Sequence, residues 1–390
     1  MAALRIDLKE LSGALKASGL DAWLLYDFKG ANPIARRVAG IGGFVTRRVF
    51  VWLPATGGPV ALVHRIERHV MPDFPGEVRV YGGWRELQQQ LALLLRGRRV
   101  AMEISPDGDV PYLDRVPSGA AKLLERLGAT IVSSAPLISR FAAGWSANDQ
   151  QEHQKAAELL ARIARETVAE VVTQAGSARE AQVQARVCER LDAAKLIVPD
   201  PPIVAFQANA ANPHYEPRTG SDAVLQAGQV VLLDLWARTR EDTVFADQTW
   251  MGFAGGSVPD DVARVWTAVR DARDAVLDKL RAQWRPNGGM TGAELDDASR
   301  GLITERGYGE YFTHRTGHSI DSDLHGSGPN IDNFETNDSR ELLPGVGFSV
   351  EPGVYLEGKF GVRSEVNVFL TEKGPVVTPA EIQRALILPK

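Results

Sequence analysis

Four acidic residues stand inside runs that otherwise read as buried β-strand, and this most narrows what the chain can fold into. They are Asp234 in VVLLDLWA, Asp247 in VFADQTW, Glu351 in GFSVEPGVYL and Glu365 in GVRSEVNVFL. An ionised carboxylate in an apolar strand is costly unless it is paired or bound to a cation. The polar stretch TRED between the two aspartates lets the chain turn back, which would put both carboxylates on one face of a hairpin. Gly358 and Gly361 supply a similar turn between the two glutamates. The chain is therefore expected to fold so that two acidic hairpins converge.

Between the hairpins lies HRTGHSIDSDLH, with three of the seven histidines, His314, His318 and His325. Neutral imidazole is a common metal ligand and the usual proton carrier near neutral pH. In chain order the set reads Asp, Asp, His, Glu, Glu. Such a hard, mostly anionic donor set suits divalent manganese, cobalt, zinc or iron and suits thiophilic metals poorly. Two such ions about 3.5 to 4 Å apart share a water, lower its pKa and polarise a carbonyl oxygen. The chemistry expected is hydrolysis of an amide bond without a side-chain nucleophile. His64, His69 and His153 have no comparable context and are expected to be structural. Ser349 and Ser364 lack triad partners and are expected only to pack.

The rest of the chain sets the frame. A length of 390 residues suggests two domains or three. The net charge of −5 argues against nucleic acid as a partner, because phosphate neutralisation needs a basic surface. Cys188 is the one cysteine, so no intramolecular disulfide is available, which fits a reducing compartment. Arg5, Asp7, Lys9 and Glu10 occupy the place of a signal peptide's apolar stretch, and the N-terminus reads as an amphipathic helix instead. No apolar run reaches the roughly 18 to 20 residues needed to span a bilayer. A cytoplasmic protein without membrane contact is the expectation. Gly40, Gly42 and Gly43 lack the spacing and the following helix of a nucleotide loop.

Residues 1–143 alternate helices and strands as an α/β domain does, with strands at 22–26, 48–53, 60–63, 99–104 and 130–132. A boundary falls near Gly144–Asp149. Beyond it, helices are expected over 150–173, 178–191, 260–281 and 291–306, the last with a Thr291–Glu294 capping box. Strands are expected at 203–206, 230–235, 347–356 and 361–370.

The set Asp234, Asp247, His318, Glu351 and Glu365, in the contexts HRTGH, SVEPGVY and GVRSE, resembles the ligand set of the pita-bread metallopeptidases. That family includes methionine aminopeptidase, aminopeptidase P and Xaa-Pro dipeptidase (prolidase). The resemblance implies a creatinase-like α/β domain over 1–143 and an α+β pita-bread catalytic domain over 150–390, in a homodimer. It implies two divalent ions, manganese first, with cobalt or zinc as alternatives. Asp247 and Glu365 would bridge them, Asp234 would complete one, and His318 and Glu351 the other. Glu351 would also shuttle the proton of the attacking water. By the same resemblance His214 and His325 face the scissile carbonyl or leaving nitrogen, His314 lines the pocket, and Arg363 supports the bridging carboxylates.

The activity implied is cleavage of Xaa-Pro dipeptides. Release of the first residue of longer Xaa-Pro peptides, as by aminopeptidase P, and a non-catalytic binding module are the alternatives. The chain departs from the family pattern in three ways. The aspartates lie thirteen residues apart, two more than usual, and Val244 and Trp250 replace a common tyrosine and arginine. Val366 stands where an aspartate is frequent.

Overall fold

The computed structural model describes residues 4–390, so the first residues of the expected opening helix lie outside those described. The chain divides into two compact units, Met1–Ala142 and Ala143–Lys390.

In the first unit the strands β1 (Ala22–Phe28), β2 (Arg48–Pro54), β3 (Val60–His64), β4 (Glu77–Tyr81), β5 (Arg98–Met102) and β6 (Ala129–Ser133) form one sheet in the order β4-β3-β2-β1-β5-β6. β1 runs antiparallel to β2 and parallel to β5. Alternation along β1 sends Trp23 and Leu25 to one face and Leu24 and Tyr26 to the other. The first face is covered by α1 (Leu8–Ala17) and α2 (Pro33–Ala39), through Leu11, Leu15, Ile34 and Val38. The second is covered by α3 (Trp84–Leu95) and α4 (Ser118–Arg126), through Leu87, Leu91, Leu95 and Leu124. Both faces being covered explains why AWLLY reads as one apolar run. The expected strands are all present; α2 and β4 are additions that sequence pattern alone did not supply. A single turn, α5 (Ala135–Leu137), closes the unit's regular structure before a short π-helical turn, Ile138–Ala142.

The second unit opens with α6 (Ala147–Val171), capped by Ser146 and Asp149 in a reciprocal capping box, then α7 (Glu180–Ala193). Strands β7 (Ile203–Phe206), β8 (Val230–Ala237) and β9 (Ala246–Phe253) form an antiparallel sheet. Helices α8 (Asp260–Gln283) and α9 (Gly292–Glu305) follow, and Thr291 and Glu294 cap α9 reciprocally as their spacing predicts. β10 (Ser319–Ile320), β11 (Gly347–Val350), β14 (Val366–Thr371) and β15 (Gly374–Thr378) form a second sheet. β12 (Gly353–Leu356) and β13 (Phe360–Arg363) form a separate hairpin.

Register decides what β8 and β9 bury. Asp234 lies opposite Thr249, and Trp236 opposite Asp247, so these four residues share one face. Farther along that face Val230, Leu232 and Met251 pack in a core with Val265 and Val269 of α8. The other face carries Val231, Leu233, Leu235 and Trp250 against Leu160, Ala164 and Val168 of α6. α8 and α9 also pack beneath β11 and β14, through Val276, Leu280, Leu295, Phe348 and Val368.

Two expected strands are broken where continuity was anticipated. The run 347–356 divides at Glu351-Pro352, and 361–370 divides at Ser364-Glu365. Pro352 lacks an N–H and cannot carry a ladder forward, while the Glu351 N–H leaves the strand to bond the Thr316 carbonyl at 2.7 Å. On the other strand Arg273, fully buried in α8, donates to the Ser364 hydroxyl at 2.7 Å. Val350 pairs with Val366 on one side of the break, and Gly353 with Arg363 on the other. The glutamates therefore occupy the gap where one strand pair passes from one sheet to another.

Candidate metal centre

Each acidic residue reaches the site for a local reason. Asp234 and Asp247 share the inward face of the β8–β9 pair, and Glu351 and Glu365 sit at the two strand breaks. His318 immediately precedes β10, whose Ser319 pairs with Phe348. Oxygens of Asp247 and Glu365 and a ring nitrogen of His318 lie within 4.8 Å of one another. His318 Nε2 is 3.4 Å from Asp247 Oδ2 and 3.5 Å from Glu351 Oε1. Its Nδ1 faces the Ser319 carbonyl at 3.1 Å. A carbonyl only accepts, so Nδ1 carries a proton, and Nε2 is the atom that His318 turns into the cluster.

The supporting bonds show what holds these groups in place. Arg363 pairs with Asp234 Oδ2 and donates through Nε to Thr249 Oγ1 at 2.8 Å; Thr249 in turn donates to Glu365 Oε2 at 2.7 Å. Asn367 Oδ1 accepts the Asp247 N–H at 2.8 Å. Ser349 accepts the His318 N–H at 2.9 Å and donates to Glu351 at 3.1 Å. Ser349 and Ser364 thus do more than pack: one joins two site residues, and the other receives Arg273. Gly317 completes the approach, because a Cβ there would lie 1.9 Å from the Ser349 carbonyl oxygen.

Among the described residues, two buried carboxylate oxygens have no partner. Asp234 Oδ1 and Glu365 Oε1 are buried and unbonded. Electrostatics agree with a site short of positive charge. Burial pushes Asp234 up to about 7 against the opposing pull of Arg363. Burial, reinforced by the charges of Asp247, Glu351 and Asp234, holds Glu365 well above the usual carboxylate range. Burial raises Asp247 too, with His318 opposing. Glu351 goes the other way: burial would raise it, but His318, His314, Arg363 and Arg315 outweigh burial and hold it low. Burial would lower His318, but the hydrogen bond to Asp247 and the charge of Glu351 raise it. Crowded anions with unbonded oxygens and one imidazole fit divalent cations, which supply the missing charge and ligands.

The other histidines separate by position. The His325 ring lies 4.2 Å from the His318 ring, centroid to centroid, with its outer edge in solvent. The charge of His318, followed by burial, pushes His325 down to about 3. His314 bonds the Tyr355 hydroxyl at 2.7 Å, and burial lowers it. His214 is exposed, on a loop anchored by the bond from its neighbour Tyr215 to buried Glu180 at 2.7 Å. His214 is near enough to His325 to contribute, last among the causes, to lowering it. His153, expected to be structural, is fully buried, with ring nitrogens 2.7 Å from the Phe245 carbonyl and from Thr378 Oγ1.

Some supporting residues escaped the sequence reading. Thr249 follows Asp247 by two and so shares its face, a period-two signal that was available. Tyr355, Asn367 and the Asp338–Arg340 pair carried none. Arg340 donates to the carbonyls of Ser327 and Gly328 at 2.7 and 2.6 Å and pairs with Asp338 at 2.6 Å. This anchors the loop after His325. Trp250 and Val244, which replace the family's common arginine and tyrosine, avoid the carboxylate cluster: Trp250 turns outward toward α6, and Val244 packs with Trp145, Phe245 and Ile320.

Comparison with known proteins agrees with this geometry. The sequence profile of metallopeptidase family M24 matches residues 151–372. A protein named Xaa-Pro dipeptidase from Lactobacillus delbrueckii subsp. lactis is 36% identical over 172 residues, 44% of this chain and 42% of that one. A probable dipeptidase PepE of Mycobacterium tuberculosis is 33% identical over 231 residues, 56% of this chain and 58% of that one. The matches thus span about half the length of these curated relatives. The crystal structure of dipeptidase PepE from Mycobacterium ulcerans superposes with a TM-score of 0.77 at 26% identity, covering 98% of this chain and 96% of that one. A prolidase from Thermococcus sibiricus shares the fold, with a TM-score of 0.69 at 23% identity over 98% of each chain. The α/β architecture with a pita-bread unit is thereby established.

Proposed function

Because this chain belongs to metallopeptidase family M24, we propose that it hydrolyses Xaa-Pro dipeptides with two divalent cations held by Asp234, Asp247, His318, Glu351 and Glu365. One observation carries the reading: buried carboxylates converge on His318 Nε2, and two of their oxygens have no protein partner. Residues 150–390 form the catalytic domain and residues 1–143 a creatinase-like companion. The protein acts as a cytoplasmic homodimer, with manganese as the preferred ion. Names carried by the relatives support the substrate class. No helix among the described residues is long and apolar enough to cross a membrane.

Bound cations supply polarisation of the scissile carbonyl and acidification of water. The chain's own residues do the rest. Glu351, held ionised by its cationic neighbours, accepts a proton from the attacking water and returns it to the proline nitrogen as the C–N bond breaks. His325, kept neutral beside His318, donates an N–H to the carbonyl oxygen as negative charge develops there. His214 stands at the opening and His314 on the wall shared with Tyr355. Arg363 holds Asp234 and, through Thr249, Glu365.

The test is a panel of Xaa-Pro dipeptides and tripeptides, assayed with manganese, cobalt or zinc after chelation. Cleavage of Ala-Pro, abolished by Glu351→Ala, is expected. Cleavage of Ala-Pro-Ala but not Ala-Pro would reassign the protein to aminopeptidase P activity, and no response to any ion would overturn the reading.

A further inference from the structure

Among the described residues, five buried side-chain atoms without a partner belong to no proposed ligand and no charged group; four are on Ser299, Ser319, Asn330 and Asn367, and the fifth is the indole nitrogen of Trp236. Trp236 lies two residues past Asp234 on β8 and directly opposite Asp247 on β9. Period-two alternation puts its side chain on the carboxylate face rather than on the α6 side. Its ring is partly exposed, while its Nε1 is buried. Around it pack Val244, Ile320 and Leu324, and Leu324 immediately precedes His325. The loop carrying Leu324 is tied back to the end of β8, where Arg238 donates to the Ser322 carbonyl at 3.0 Å. An apolar wall thus stands beside the acidic cluster, with one N–H donor in it that the protein leaves unused.

A buried donor without an acceptor costs stability, and a site that keeps one recovers that cost when a ligand supplies the acceptor. We propose that Trp236 contacts the substrate: its indole forms the wall against the side chain of the residue before the scissile bond, and its N–H donates to a peptide oxygen. This rests on the dipeptidase reading and specifies the substrate for it. Because Val244, Ile320 and Leu324 make the wall around the indole apolar, apolar Xaa residues larger than glycine are favoured there.

Two variants separate the wall from the donor. Trp236→Phe keeps an aromatic face and removes the N–H; it is expected to lower kcat/KM about tenfold, mainly through KM, with ion content unchanged. Trp236→Ala removes both and is expected to flatten the preference for Leu-Pro and Phe-Pro over Gly-Pro. Calorimetric titration with a ketomethylene analogue of leucyl-proline, which keeps the carbonyl oxygen and has no amide bond to cleave, measures the contact without catalysis, and weaker binding is expected in both variants. Unchanged kcat/KM and unchanged substrate order in both variants would overturn the proposal, as would analogue binding that ignores residue 236 or is absent altogether. Failure of the parent protein to cleave any Xaa-Pro peptide, with Trp236-dependent binding intact, would instead overturn the dipeptidase assignment and leave this contact standing.

Discussion

The two units of the chain treat buried charge differently. In the first, Glu103 is fully buried, yet it accepts from Trp23 Nε1 at 2.6 Å, Asn32 Nδ2 at 2.8 Å and Ser134 Oγ at 3.2 Å. Asp27 accepts the Asn32 N–H at 3.0 Å, and Glu67 accepts the N–H groups of Thr46 and Arg47 at 2.9 and 3.0 Å. In the second unit the acids of the cluster are crowded and underbonded, although others there, such as Glu180, are fully bonded. Among the described residues, every buried side-chain nitrogen or oxygen without a partner falls between Asp234 and Asn367. Several of these, on Asp234, Trp236, Ser319 and Glu365, lie in or beside the cluster. A satisfied buried acid holds a fold together; an unsatisfied group of acids is kept for something that binds.

The largest test of that contrast removes one acid from each unit. Glu365→Gln is expected to lose ion retention and, with it, Xaa-Pro hydrolysis by about a thousandfold, since a bound cation would contribute several kcal/mol to the transition state. The ion-free variant should unfold at the same temperature as the parent or higher, because the carboxyl removed was repelled by Asp247, Glu351 and Asp234. A drop in the unfolding temperature of the ion-free protein would break the contrast. Glu103→Ala should do the reverse, costing about 2 kcal/mol or more by stranding its donors, while the ion stoichiometry measured by elemental analysis stays the same.

pH separates the units next, with opposite signs. Burial pushes Glu103 up to about 7 from 4.5. Between those values the folded state holds a proton that the unfolded chain has released. The first unit's stability from this group is therefore full below 4.5 and is lost as pH rises through 7. Burial pushes His153 down to about 4 from 6.5. There the unfolded chain takes up the proton first, so the contribution is full above 6.5 and is lost as pH falls toward 4. Each group changes stability by up to about 1.4 kcal/mol per pH unit inside its window. In the ion-loaded protein, where bound cations offset the raised acids of the cluster, hydrogen exchange on peptides containing Trp23 and Phe245, followed from pH 4 to 8, should show the two units weakening at opposite ends. Glu103→Gln should flatten the first trend alone.

The smallest effect concerns the Asp338–Arg340 pair, a fully satisfied buried ion pair inside the second unit. Arg340→Lys keeps the charge but loses the fork that grips two carbonyls. Loosening the loop after His325 is expected to lower kcat about tenfold, with ion affinity unchanged. An unaltered kcat would separate this loop from catalysis.

Much of this protein was legible from the order of residues alone. An acid inside VVLLDLWA or GVRSEVNVFL signals its own purpose, because burial of charge has few solutions and cation binding is one of them. The capping box at Thr291 and Glu294 was equally readable, since both partners lie within one turn. Other features depended on partners far apart in the chain. Glu351 and Glu365 face the cluster because two strands break side by side and pass between sheets, and the break at Ser364 is held by Arg273, ninety-one residues earlier. Arg363 finds Asp234 across 129 residues. His153 looked structural, and its role in joining Phe245 to Thr378 exists only once those segments meet. Local pattern determined which residues had to be buried or charged and hence the chemistry. Tertiary packing decided which carboxylate oxygens, and which indole N–H, remain without a partner, because satisfaction of a buried polar group belongs to the whole fold and not to the segment that carries it.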